Sequence, residues 1–580
     1  MNLPASSMAA NEFFGRSGAF LVGTPAPASI VTPEDLGDEH RAIARTADEF
    51  WTRDVAPRLD ALRRHESGVG RELVGKAAAL GLIGMQIPEA YGGLALDLRS
   101  VILAIEHLAK DASYLGWHLG QSGIGSLPLV YFGTDDQKRR YLPSLASADL
   151  IGAYALTEPH AGSDALAART RADRSPDGRH YVLNGQKAWI TNGGEADLFT
   201  VFAKVDGEAF TAFLVERAFG VTSGPEEHKM GLTGTSTTAL FFDNVAVPVE
   251  NLLGSIGRGH IVALNVLNVG RLEIGPLAIG GARDVLSASV AYTRTRRAFG
   301  HAVADYGAIQ QKLADCAIGI YMTESATWRV VGLIEAHHAK SAAGAQSGAA
   351  HPELAAFEEF AAECAMIKVF ASEMLDAVAD EGVQMHGGYG YHRDSLVERA
   401  YRDARINRIF EGTNEINRLV IPPLLLKRAA RGGVPLLETV ATWPGESGQP
   451  ADGAELIARA KALSLGILSL AHERHGADLK FHQEVVMGIA DLIIDTFVLE
   501  SGWLRSEKLA GTGRAGLTRD ICAVHSRVVM DRMAHVARQV LPSLAHGAEL
   551  DRGLDAVRRL TAYLPFDVIA ARQRIAKALP

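Results

Sequence analysis

Apolar residues along this chain change their spacing three times, and each change predicts a change of architecture. From about 34 to 150 they recur at helical intervals, as in the run from Arg41 to Phe50, with Gly and Pro punctuating the pattern. Between 151 and 257 the texture becomes short β-branched and aromatic runs separated by turn residues: Tyr181 to Gly185, Leu198 to Ala203, Phe210 to Val215 and Thr238 to Val245. Runs of that kind predict a small barrel or sandwich. Long periodic segments return in 258–430, from Leu277 to Arg297, Ala308 to His338 and Leu354 to Glu381, with almost no internal Pro, and they predict a helical bundle. Residues 431–453 are rich in Gly and Pro and read as a linker, and 454–580 is helical again. The expected fold is α+β and mostly α. After an N-terminal arm (1–33) it places a helical N-terminal domain (34–150), a small central β-domain (151–257), a four-helix-bundle domain (258–430) and an extra C-terminal helical domain (454–580).

Composition narrows the function classes more than the fold. A chain of 580 residues is too long for one compact core, and its 47% apolar and 22% charged residues fit ordered globular domains. The formal charge of -9 gives no concentrated basic surface for neutralising phosphates, which argues against nucleic-acid binding. Cys316, Cys364 and Cys522 are far apart, lack metal-ligand spacing, and read as buried thiols of a reducing compartment. No run approaches the roughly 18–20 apolar residues of a membrane span, and Arg16 is the only Lys or Arg among the first forty residues, so neither a secretory nor a mitochondrial-type leader is expected. A soluble, intracellular protein is the expectation. The histidines of Glu335-Ala-His-His338 lack the H-E-x-x-H spacing that puts two ligands on one helical face, so no metal site is expected and the pair is read as the end of a helix before the small-residue loop 341–350.

Candidate chemistry concentrates in the stretch from Arg405 to Arg418. Glu411 stands beside Gly412, which lets the backbone turn; Thr413 can cap the helix that follows, and Glu415 falls in its first turn, where negative charge is favourable. Two readings stay open on these residues alone, a catalytic base or a solvated carboxylate at a helix entry. Four further segments carry distinctive residues: Tyr154 to Asp164 (containing Thr157-Glu-Pro), Asn184 to Gly194 (containing Trp189-Ile-Thr), Arg296 to Gly300, and Gln384 to Gly390.

These five segments, in order and spacing over roughly 40–425, resemble the motifs of the acyl-CoA dehydrogenases. The C-terminal extension and the phrase Tyr321 to Ser325 are similar to the very-long-chain branch, whose members carry an extra helical domain. The resemblance implies FAD as cofactor. Tyr154, Ala155, Leu156, Thr157, Gly162 and Ser163 would line the flavin ring, with Thr157 bonding its edge and Ser163 also reaching the CoA. Trp189 would lie along the ring face, followed by Ile190, with the Thr191 hydroxyl near N5. Arg296 with Gln384, Met385, His386, Gly387 and Gly388 would hold the adenine and pyrophosphate half of a neighbouring subunit's flavin, which makes a homodimer the smallest complete unit. Gln384 to Gly390 lacks the G-x-G-x-x-G spacing and preceding strand of a dinucleotide fingerprint, so no Rossmann domain is expected. Thr413, Asn414 and Glu415 join the flavin set.

Glu411 would be the base that takes the α-proton of an acyl-CoA thioester, with Gly412, Asn268 and Arg271 beside the substrate. Some relatives place the base on an earlier helix; here that position aligns with Gly270, so Glu411 has no rival there, and Glu273, three residues on, reads as a helix-face carboxylate. For Arg271 an exposed place on the helix surface is an equally open reading. The implied reaction is α,β-dehydrogenation of a saturated, long-chain acyl-CoA to a trans-2-enoyl-CoA in fatty-acid β-oxidation, with electron-transfer flavoprotein as acceptor, in the cytoplasm. Rival readings are an acyl-CoA oxidase, a flavin-binding scaffold or a DNA-associated relative. The branch resemblance also leaves open a peripheral membrane contact through the C-terminal domain. The near balance of charges after 430 gives no duplex-binding footprint, and the apolar run from Val485 to Ile494 is interrupted by Asp491 and reads as core.

Overall fold

A computed structural model describes residues 15–343, 352–437 and 449–580. Residues 1–14 of the arm, 344–351 of the small-residue loop and 438–448 of the linker lie outside the described residues. The chain packs as two compact units. One, the β unit, holds Leu36–Gly281 and Arg402–Asn407; the other, the helical unit, holds the described part of Met1–Asp35 with Ala282–Tyr401 and Arg408–Pro580.

In the β unit the main helices are α1 (Asp38–Phe50), α2 (Leu59–Arg63), α3 (Val69–Ala79), α4 (Leu98–Leu108), α5 (Ala112–Ser122), α6 (Leu127–Phe132) and α7 (Asp135–Ala146). Their starts are chemically specified. Asp97 caps α4 by accepting from Ser100 N–H (2.9 Å), Asp111 caps α5 through Ser113 N–H (2.9 Å), and Thr134 with Gln137 closes a capping box on α7. The sheet comprises β1 (Gly152–Ala155), β2 (Arg171–Arg174), β3 (His180–Thr191), β4 (Leu198–Val205), β5 (Ala209–Glu216), β6 (Thr222–Glu226), β7 (Thr237–Pro248) and β8 (Leu252–Leu253), in the order β6-β7-β3-β2-β4-β5-β8, with β1 added parallel to β4. The central pair β4–β5 runs in antiparallel register from Leu198↔Glu216 to Val205↔Ala209, and Asp206 and Gly207 turn it at φ 54° and 79°, the left-handed geometry that suits a tight hairpin. β4 is buried at seven of its eight positions, which explains why it reads as a continuous apolar run instead of an alternating one.

α8 (Gly259–Thr295) begins in the β unit and ends in the helical unit. The pattern predicts a start at Leu277, but the helix runs unbroken through Pro276, although proline lacks the N–H that would reach the Leu272 carbonyl and its ring crowds that carbonyl. It also contains an 18-residue window apolar enough to cross a membrane, of which 78% is buried inside the protein, so this is a core helix. The run Leu354–Glu381 divides into α10 (Pro352–Glu359) and α11 (Ala361–His386) at Phe360, whose φ, ψ of -97°, 25° leave the helical range. α9 (Gly307–Ala343) continues past His338, so the two histidines do not end a helix as expected; His337 instead sets its ring edge-on to Phe360.

The helical unit is completed by α12 (Leu396–Ala404, whose last residues fall in the β unit), α13 (Asn414–Ala430), α14 (Ala454–His475), α15 (Gln483–Lys508), α16 (Ala515–Leu544), α17 (Gly547–Leu560) and α18 (Val568–Ala578). α9 packs on α11, α15 and α18, and α13 packs on both α11 and α15, so the helices after 454 share one core with the bundle. The short strands β9 (Arg297–Ala298) and β10 (His301–Ala302) form a hairpin beyond α8. No disulfide joins Cys316, Cys364 or Cys522.

Candidate active site

In the β unit, β3 builds an unusual local surface. Its pairing with β7 slips between Lys187 and Ile190, and at that bulge Trp189 takes φ 61° and turns its ring outward, 60% exposed. A bulge re-aims a side chain that a regular strand would send into the core. Ile190 is buried between the exposed Trp189 and a half-buried Thr191. Asn192, also left-handed at φ 61°, is fully buried and its amide reaches the carbonyls of Trp117 (3.5 Å) and Gly152 (3.4 Å). α5 approaches so closely that a Cβ on Gly120 would lie 2.6 Å from the Asn192 amide and 3.0 Å from the Thr191 methyl; only glycine fits there.

Beside this surface lies the Tyr154–Asp164 segment. Tyr154 and Ala155 close β1 and, with Leu156, are buried; Thr157 is half-buried and Gly162 and Ser163 are exposed. The loop is fastened from beneath by Glu158, which accepts from the backbone N–H groups of Arg169 (2.6 Å) and Thr170 (3.0 Å), the Thr170 hydroxyl (2.6 Å) and the Lys187 ammonium (2.7 Å). Lys187 is fully buried and donates also to the Leu156 carbonyl (3.2 Å), while Ala188 N–H bonds Thr157 O (2.9 Å). Burial pulls the Lys187 ammonium down to about 8, with Glu158 working against that fall. Neither Glu158 nor Lys187 was singled out in the sequence, where each is flanked by polar or turn residues, Thr157 and Pro159 around the first and Gly185 and Gln186 before the second.

On the stretch of α8 in this unit, Asn268, Arg271 and Glu273 are all buried, at 7%, 8% and 5% exposure, and Arg271 donates to the Asn268 side chain (3.1 Å). Arg271 is therefore no surface arginine. Glu273 is a core carboxylate, its oxygen 3.1 Å from where a Cβ on Gly123 would stand.

In the helical unit, Glu411 and Gly412 take φ 56° and 80°, two successive left-handed residues. A non-glycine residue there is strained by ~1–2 kcal/mol, so its surroundings must hold it. They do so through the carbonyls. The Asn417 amide donates to Glu411 O (3.3 Å), Gly412 O (2.7 Å) and Thr413 O (3.0 Å), and the ammonium of the fully buried Lys368 donates to Gly412 O (2.7 Å) and Asn414 Oδ1 (2.6 Å). Thr413 caps α13 by accepting from Ile416 N–H (3.2 Å), and the Asn414 amide reaches Ser372 and Glu373, both at 3.0 Å. Glu415 sits exposed in the first turn, its carboxyl held below the usual range first by its own backbone N–H and then by Thr413, Arg418 and Lys368. Lys368 and Glu373 were missed because nothing local marks a helix residue as a clamp for a loop more than forty residues away, and Asn417, four to six residues from the carbonyls it holds, reads in the sequence as an ordinary polar helix residue.

Elsewhere in that unit a cavity of about 480 Å³ gathers Arg296, at the end of α8, with Gln384, Met385, His386, Gly387 and Gly388 at the end of α11. Tyr292, Tyr389 and His392 join its lining, and the His386 ring stacks on Tyr292 at 4.4 Å and 23° while its Nδ1 meets Gly382 O at 2.8 Å. At Gly387, left-handed at φ 59°, and at Gly388 a Cβ would meet nothing within 4 Å, so the backbone lies open toward a ligand.

A helical domain, a small β-domain, a bundle and a C-terminal helical extension, with these motifs in place, define the acyl-CoA dehydrogenases. Models of that family match residues 37–149 (acyl-CoA dehydrogenase, N-terminal domain), 153–245 (middle domain) and 257–423 (C-terminal domain), and another, also described as a C-terminal domain, matches 459–559. The chain belongs to the acyl-CoA dehydrogenase family and is an FAD-dependent oxidoreductase. It is 41% identical to a probable acyl-CoA dehydrogenase of Bacillus subtilis (strain 168), over 97% of each chain. It is similar to the solved structure of an acyl-CoA dehydrogenase complexed with FAD from Bacillus anthracis, with a TM-score of 0.93, 40% identity, and coverage of 97% of this chain and 98% of that one. The human very long-chain specific mitochondrial acyl-CoA dehydrogenase is 41% identical over 59% of this chain and 51% of its own length. The residues present suit FAD: an outward-turned indole next to the half-buried Thr191 offers a platform for a flat ring, and a guanidinium beside open glycine backbone suits a pyrophosphate.

Proposed function

We propose that this enzyme dehydrogenates a saturated, long-chain acyl-CoA to the trans-2-enoyl-CoA in fatty-acid β-oxidation, acting in the cytoplasm as a homodimer that passes electrons to an electron-transfer flavoprotein. The observation that carries the reading is Glu411, a glutamate kept in a strained left-handed turn whose carbonyls are clamped from two helices. Strain maintained at such expense concentrates where geometry serves chemistry.

Glu411 takes the α-proton. A base for that step works best with a pKa near the operating pH, and an acyl chain that displaces water around the carboxylate raises a glutamate toward it. Negative charge then grows on the thioester oxygen, and the Glu411 backbone N–H is the donor this chain offers there. Bound FAD supplies the acceptor for the hydride leaving the β-carbon. Tyr154 to Thr157, Gly162, Trp189, Ile190 and Thr191 hold the flavin ring, Thr413 to Glu415 complete that set, and Ser163, Asn268, Arg271 and Gly412 position the acyl-CoA. Arg296 and Gln384 to Gly388 take the adenosine and pyrophosphate half of the FAD of the second protomer, which is why a dimer is required. The C-terminal helical extension and the very long-chain relatives support a long acyl chain.

Glu411→Gln keeps the size of the side chain and removes its basicity. Anaerobic stopped-flow flavin reduction by saturated acyl-CoAs should fall by roughly 10²- to 10⁴-fold in that variant with acyl-CoA affinity little changed, while Glu273→Gln should retain most activity. Near-normal reduction by the Glu411 variant would remove the assignment. A substrate series from short to very long chains tests the length preference, and an active, flavin-loaded monomer by light scattering would defeat the dimer.

A further inference from the structure

Among the groups holding Glu411, one has no place in the proton transfer as written. Lys368 lies about two turns into α11, fully buried, and its ammonium meets Gly412 O at 2.7 Å. From the other side, on α13, the Asn417 amide meets the same oxygen, also at 2.7 Å. A carbonyl oxygen has two lone pairs, so this one is saturated by donors from two different helices. The second Lys368 bond, to Asn414 Oδ1 at 2.6 Å, ties the ammonium to the first residue of α13, whose own amide is held by Ser372 and Glu373.

An ammonium taken out of water is costly, and an unbranched apolar side chain would fill the same space more cheaply. Its bonds explain the expense. They lock the peptide that follows Gly412, and with it the two left-handed residues before α13, so the Glu411 carboxylate and backbone N–H are presented in a single orientation. We propose that Lys368 is a positioning residue for proton abstraction, acting through the Gly412 carbonyl. This rests on the reading of Glu411 as the base.

The test uses full-length, FAD-loaded enzyme, palmitoyl-CoA as the probe, and α-deuterated palmitoyl-CoA beside it. Lys368→Met keeps length and removes the donors. FAD content and the palmitoyl-CoA dissociation constant should stay within about twofold of the parent. The limiting rate of anaerobic flavin reduction should drop roughly 10- to 100-fold, the scale of a misplaced reacting group. The α-deuterium isotope effect should persist or grow, because the slowed step is the proton transfer. Asn417→Leu frees the same carbonyl from the other side and should show the same split, and the double variant should fall short of the product of the two single losses, since the two side chains share the Gly412 oxygen while each also holds other groups of the turn. Should Lys368→Met fail to fold, Asn417→Leu carries the test on the same criteria. The proposal is overturned by an unchanged limiting rate, by a rate loss matched by equal weakening of palmitoyl-CoA or FAD binding, by a vanishing isotope effect, or by two losses that multiply in the double variant. Normal reduction by Glu411→Gln, in contrast, would sink the base assignment whatever Lys368→Met does.

Discussion

Four non-glycine residues in the quoted motifs, Trp189, Asn192, Phe299 and Glu411, sit in the left-handed region, and Asn192 and Glu411 are tied there by hydrogen bonds to their neighbours. Two fully buried lysines, Lys187 on β3 and Lys368 on α11, support the Thr157 loop and the Glu411 turn. Lys187 also meets a carboxylate, Glu158, whose pKa is lowered by that ammonium and by the N–H groups around it despite the opposing effect of burial. Lys187→Met leaves this carboxylate in the core without its counter-charge, which should cost about 3–5 kcal/mol in denaturant unfolding and loosen FAD, because the Thr157 loop and β3 lose their tie. Lys187→Met with Glu158→Gln should recover part of that loss. A change below about 1 kcal/mol in the single variant would mean the pair contributes nothing beyond a solvated ion pair. Both residues were visible in the sequence, but their pairing was not: it closes across 29 positions and two elements, and no local period records such a contact.

At the scale of elements, the segment from 15 to 35 behaves as a strap laced into the helical unit. Glu363 on α11, fully buried, accepts from Ser17 Oγ (2.7 Å) and Gly18 N–H (2.8 Å); Lys461 on α14 donates to Gly23 O and Thr24 Oγ1, both at 2.7 Å; Arg505 on α15 pairs with Glu34 (2.7 Å) and Lys508 with Asp35 (2.5 Å). Phe20 meets Phe497 edge-on with ring centroids 4.9 Å apart. Deleting residues 1–35 therefore takes the Ser17 and Gly18 donors from the buried Glu363 and one set of partners from Lys461 and Arg505, which keep Glu500 and Glu324, and should lower the stability of the helical unit by about 1–3 kcal/mol and speed proteolysis within 454–580. Unchanged unfolding and proteolysis would show the strap to be ornamental. Little of this was legible beforehand, since the strap has no period and its anchors are single polar residues. Elements with a strong period were legible: β3, β4, β5 and β7 and the long helices fall where alternation or helical spacing placed them. The exceptions have local causes. β1 is four residues of mostly small side chains, the α10–α11 break turns on one residue, Phe360, and Pro276 ends no helix because α8 tolerates one missing donor. In the site, the motif residues themselves were legible and their supports were not. Arg296 and Gln384 to Gly388 do share a cavity, whereas Tyr292 enters it only because one helical turn separates it from Arg296.

For the molecule as a whole, packing in two units means that its stability belongs to each unit, and protons can report which one is unfolding. His118, on α5 in the β unit, is fully buried, and burial pushes its imidazole down to about 4. The Tyr114 hydroxyl stands 3.4 Å from its Nδ1. In the unfolded chain a histidine binds its proton near pH 6.5. The folded pKa is thus depressed: the stability it confers is full above about 6.5, falls as the pH drops below that value, and is lost by about 4, where the folded state also takes the proton. Within that window the β unit should lose up to about 1.4 kcal/mol per pH unit through this one group. His118→Leu removes the titration while leaving every other histidine and carboxylate in place, so the difference between parent and variant isolates it. Denaturant unfolding from pH 7.5 to 5, followed by a probe in each unit, should show the parent approaching the variant in relative stability as acid is added, with the slope confined to the transition that melts the β unit. If the chain melts in one cooperative step, the same slope should appear in that step. Parallel pH profiles for parent and variant would mean that His118 reaches water in the folded state, and that the core around α5 is less closed than its packing indicates.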